Sequence, residues 1–101
     1  MTPEKKAEAL AALDAYAEVF GPRLAPQVIW HDEHGCACFA GALALFLYAP
    51  PPSAWMLDGP LCIWRNVLRD LGIDEATQVN DSFHGTPEQR FQHMRQWLQR
   101  Q

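Results

Sequence analysis

Apolar residues recur at helical spacing through the first twenty positions. Leu10, Leu13, Ala17 and Phe20 share one face, with Tyr16 on its flank. Thr2 is a good N-cap, and Pro3 suits the first helical position because no donor is needed there. Gly21-Pro22 stops this helix, and Arg23 to Pro26 reads as a linker between prolines. Gln27-Val28-Ile29-Trp30-His31 is β-prone, Asp32-Glu33-His34-Gly35 is turn-like, and the chain returns through Cys36-Ala37-Cys38. The pattern admits one short β-hairpin near residues 27–38.

From Phe39 to Tyr48 the chain is apolar on every side, with Phe39, Leu43, Phe46 and Leu47 as a large face and Ala40, Gly41 and Ala44 as a small one. A helix apolar all round is buried all round, so this segment is the expected centre of the fold. Pro50-Pro51-Pro52 then imposes an extended loop. Gly59-Pro60 opens a third helix with Leu61, Trp64, Leu68 and Leu71 on one stripe and Val67 beside it. Gly72 suits the left-handed residue past its end, with Ile73 packing back on Leu68 as in a Schellman motif. Asp74 to Gly85 reads as irregular. Thr86-Pro87-Glu88-Gln89 combines an N-cap, a first-turn proline and a capping-box partner, and Phe91, Met94, Trp97 and Leu98 then face inward. The expected fold class is mainly α, with about four helices around a central apolar helix.

A chain of 101 residues corresponds to one globular domain, residues 1–101. Its 49% apolar content and 11% aromatic content are those of a packed chain rather than a disordered one. The net charge of −4 and the scattered bases, of which only Arg65 and Arg69 share a helix face, argue against direct nucleic-acid binding. An acidic balance suits a protein partner with a basic surface. Three cysteines cannot all pair within one chain, and Cys36 and Cys38 are too close to bridge each other comfortably. The opening Met1-Thr2-Pro3-Glu4-Lys5-Lys6 has no secretory character. The uncharged stretch from Gly35 to Leu57 is cut by prolines, which makes it too short to span a bilayer. The expectation is a soluble, cytoplasmic protein, with nothing in the pattern that sets an oligomeric state.

Cys38-Phe39-Ala40-Gly41-Ala42-Leu43 resembles the Cys-Ala-x-Gly-Ala-Leu signature of a family of small bacterial proteins of unknown function. That family continues with a Leu-Gly helix end, a Trp-Asn-Asp motif, a threonine and a closing helix. Leu71-Gly72, Val79-Asn80-Asp81, Thr86 and the last helix follow here in the same order, so the resemblance covers roughly Cys38 to Leu98. Phe39 departs from the family's alanine and Val79 from its tryptophan. The resemblance implies an order of elements and no reaction.

The densest set of chemical donors is His31-Asp32-Glu33-His34-Gly35-Cys36-Ala37-Cys38. His31, His34, Cys36 and Cys38 are the donor types of tetrahedral zinc, although their spacing fits no zinc-finger pattern. The structural alternative is a pair of turn histidines beside thiols that pack as small hydrophobes. A second constellation is a Cys–His nucleophile, with Cys38 made acidic by the start of the central helix and His84 and Asp81 supplied by the later loop. One Cys, one His and one Asp nevertheless co-occur in most chains.

Asn80-Asp81-Ser82 has the composition of a backbone-capping turn, which the family resemblance implies would lock the end of the third helix to the buried helix, and His93 belongs on a solvated face. No phosphate-cradling glycine loop, HExxH or EF-hand pattern occurs, and no cofactor is expected. The proline-led loop ending in Trp55-Met56-Leu57 is a rigid docking element if its aromatic faces solvent and a core plug if it does not. These readings favour a non-catalytic interaction or regulatory domain binding a protein partner. The partner surface would be Trp55, Met56 and Asp58 with Asp32 and Glu33. One concrete version is a phage or mobile-element accessory protein that inhibits a host nucleic-acid-binding machine; the alternative is a small thiol-dependent enzyme or zinc protein.

Overall fold

Helices dominate the architecture that follows from this pattern. A computed structural model of the chain describes residues 1–26, 36–47 and 67–101, and among these the fold is mainly helical, without a strand. Helix α1 spans Pro3–Phe20, α2 Phe39–Leu47, α4 Ala76–Ser82 and α5 Pro87–Gln99, and α3 is described over 67–71. Helix α1 packs on α2 and α5, α2 on α4, and α4 on α5.

Helix α1 starts where its sequence says it should. Thr2 Oγ1 accepts the Lys5 N–H at 3.2 Å, and the chain leaves the helix through Gly21 at φ +93°. Its buried face is rotated from the expected stripe. Ala9, Ala12, Leu13 and Tyr16 are buried, whereas Leu10, Ala17 and Phe20 are half-buried. The periodicity rewarded large apolar side chains, whereas two of the four residues that α1 buries are small alanines.

In α2 every residue from Phe39 to Ala44 is buried, as an all-apolar helix requires. Phe46 meets Phe20 edge-on at 6.5 Å, and Phe39 meets Trp97 edge-on at 6.2 Å, linking α2 to α1 and α5. With Gly41 inside this buried run, Gly41→Leu should lower stability by about 1–3 kcal/mol through overpacking. Thermal unfolding is the check, and an unchanged midpoint would show room at position 41.

The end of α3 closes as the Leu-Gly-Ile sequence indicates. The Ile73 N–H reaches the Leu68 carbonyl (2.9 Å) and the Gly72 N–H reaches that of Arg69 (3.0 Å), with Gly72 at φ +77° and Leu68 and Ile73 both buried. This is the Schellman pattern.

The stretch expected to be irregular, Asp74 to Gly85, instead contains α4. Ile73, Ala76 and Asn80 are buried and Val79 half-buried, a helical spacing that a polar asparagine on the inner face disguised. Helix α4 brings the helical elements among the described residues to five. Helix α5 opens on the expected capping box, with Thr86 and Gln89 bonding each other's backbone N–H groups (2.9 and 3.1 Å). Gly85 makes room for that box, because a Cβ there would sit 2.6 Å from Gln89 Oε1 and 2.9 Å from the Phe83 ring. Gly85→Ala should displace Gln89 and cost about 1 kcal/mol, measurable as a shift of the urea midpoint.

The hairpin expected near 27–38 falls largely outside the described residues. Residues 36–38 carry no strand, although the Ala25 N–H donates to the Ala37 carbonyl at 2.8 Å. The triple proline and the opening of the third helix at Gly59-Pro60 also lie outside them.

Candidate functional site

Three buried polar side chains gather the ends of these helices around one short strap, residues 21–26. Tyr16 has no exposed area, and its hydroxyl donates to the Arg23 carbonyl at 2.6 Å while accepting the Ala37 N–H at 2.9 Å. Asn80, on the inner face of α4, donates through Nδ2 to the Ala25 carbonyl (3.1 Å) and to Asp81 Oδ1 (3.2 Å). Two acceptors on one nitrogen orient the carboxamide and leave Asn80 Oδ1 buried without a hydrogen-bond partner among the described residues. Such an atom costs about 1–3 kcal/mol, which the surrounding bonds must offset.

Arg90, only 5% exposed, closes the node from α5. Its Nε donates to the Asn80 carbonyl (3.1 Å) and its Nη2 to the Phe83 carbonyl (2.6 Å), two acceptors that the end of α4 leaves without helical donors. The guanidinium also lies 5.6 Å from the centre of the Phe83 ring. Burial lowers its pKa from the ordinary arginine value, opposed by the nearby Asp81 carboxylate. A direct strap bond, Leu24 N–H to the Pro87 carbonyl at 3.0 Å, completes the joint.

The pattern put Tyr16 only on the flank of an apolar face and passed over Arg90, yet Arg90 carried a signal. It lies four residues before Met94 and eight before Leu98, on the stripe that α5 buries. Asn80 was singled out, but as a turn former. Its side chain instead works across the fold, tying α4 to the strap rather than capping its own backbone.

The residues singled out for thiol chemistry stand in contrasting environments. Cys36 and Cys38 are both buried, 0% and 2% exposed. Cys38 sits at the head of α2, its carbonyl accepting the Ala42 N–H at 2.9 Å and its Sγ the Gly41 N–H at 3.4 Å. Asp81 and His84 are exposed. His93, expected on a solvated face, is half-buried and stacks on Phe83 at 4.5 Å. Among the described residues no group of three or more His, Cys, Asp or Glu is placed to hold a metal ion. The other two zinc candidates, His31 and His34, lie outside the described residues, as do the docking candidates Trp55, Met56, Asp58, Asp32 and Glu33.

The outward face of α1 has a different character. Glu4, Glu8, Ala11, Glu18 and Val19 are exposed there, with Ala15 half-buried among them, and their spacing keeps them on one side of the helix. Val19 retains 64% of its surface. The neighbouring bases point elsewhere: Lys5 Nζ donates to the Asp70 carbonyl (2.6 Å) and Lys6 Nζ to that of Gln99 (3.3 Å). Arg95 holds Asp14 through two bonds of 2.9 and 3.0 Å. That pairing draws the Asp14 carboxyl below its ordinary pKa and raises Arg95 above its own. The face is therefore acidic with an alanine floor.

Among the described residues no helix is long and apolar enough to cross a membrane. Compared with protein-family models, curated proteins and solved structures, the chain matches none.

Proposed function

We propose that this chain is a non-catalytic interaction domain that binds a partner protein presenting a basic surface. The observation that carries the reading is the outward face of α1, where Glu4, Glu8 and Glu18 surround Ala11 and the exposed Val19. Lys5 and Lys6 are drawn onto backbone carbonyls of other elements. Opposite charge steers association and sets register, while a small apolar floor allows close approach. The net charge of −4 favours the same partner class. Inhibition of a host nucleic-acid-binding machine by a phage or mobile-element protein is one arrangement with this chemistry, because the inhibited surface would be basic. Trp55, Met56 and Asp58, with Asp32 and Glu33, are the proposed second contact region. The family resembled over Cys38 to Leu98 supplies an order of elements and implies no reaction.

The alternative, a thiol enzyme using Cys38, His84 and Asp81, needs a nucleophile within reach of substrate. The burial of Cys38 weighs against it, as does the engagement of its sulfur with the Gly41 N–H. Capture from a lysate of the source cell separates the two readings. Glu8→Lys/Glu18→Lys should slow association about tenfold and reduce its salt sensitivity, while circular dichroism stays that of the parent. Trp55→Ala should weaken capture as well, and Cys38→Ser and His84→Ala should retain the partner. A turnover abolished in folded Cys38→Ser would overturn the proposal. Capture indifferent to the charge reversal would remove α1 as its surface.

A further inference from the structure

We draw no further inference here: the strongest candidate, the cavity of about 570 Å³ between the start of α1 and α3, mixes Lys5 and Arg69 with Glu8 and Asp70 over Leu47 and Val67, and nothing in the structure shows what covers it.

Discussion

Replacing Arg90 with methionine should destabilise the fold by about 3–5 kcal/mol, the order expected for losing two hydrogen bonds from a charged donor. Methionine keeps most of the alkyl stem, so the loss reports the guanidinium and not a cavity. Two opposing effects decide the size. Removing a desolvated cation is favourable, and burial already lowers the Arg90 pKa. Against that, the carbonyls of Asn80 and Phe83 lose donors now at 3.1 and 2.6 Å. Hydrogen bonds from a charged donor contribute about 1.5–3 kcal/mol each, and a buried carbonyl left alone adds its desolvation penalty. The bonds should win, because both acceptors lie at the end of α4, where no helical N–H can replace the lost donor. The melting temperature should fall by about 15 °C or more. A variant as stable as the parent would mean that desolvation cancels the two bonds, and that α4 is held by its apolar contacts alone.

Tyr16→Phe should cost about 2–4 kcal/mol although it removes a single oxygen. That oxygen bridges two chain segments that share no helix, accepting from the Ala37 N–H and donating to the Arg23 carbonyl. Ala37 is 1% exposed, so its N–H has no access to water when the hydroxyl is gone. Arg23 is half-buried, and its carbonyl recovers part of its loss through solvent. The phenyl ring remains to stack on Phe20, whose centroid lies 5.4 Å away, which separates the hydrogen-bond loss from packing. Chemical denaturation should show a lower midpoint with an unchanged slope. Amide exchange at Ala37 should accelerate more than exchange in the middle of α5, because the loss is local to the strap. Uniform acceleration throughout would instead mean that Tyr16 contributes only to global stability.

Together, these substitutions separate two layers of the design. Gly41→Leu acts on helix-to-helix packing around α2, while Tyr16→Phe and Arg90→Met act on polar links that choose how the packed helices are joined. Asn80 lies between the layers: its amide nitrogen fastens the strap, and its unpartnered oxygen is a cost tolerated at the same position.

Local chemistry was legible wherever a few consecutive residues carry the whole cause. The Thr2 cap, the Thr86–Gln89 box and the Gly72 closure each need only the side chains and backbone of one turn, so sequence alone determined them. Sequence alone also determined that α2 would be buried from Phe39 to Ala44, since no residue there could favour water, while Leu45, Phe46 and Leu47 at its end are half-buried. Tertiary structure decided the rest. The face that α1 turns inward carries Ala9 and Ala12 beside Leu13 and Tyr16, small positions to which a periodicity weighted toward larger side chains gives little weight. Helix α4 was hidden because its inner face carries Asn80, whose burial becomes affordable only when Ala25, distant in the chain, brings it a carbonyl. Arg90 likewise looks like a surface residue, and Tyr16 like the edge of an apolar face, until the acceptors and donors they meet arrive from elsewhere in the chain. The physical reason is common to all of them: a polar group can be buried only beside a partner, and chain order does not reveal partners that folding alone brings together.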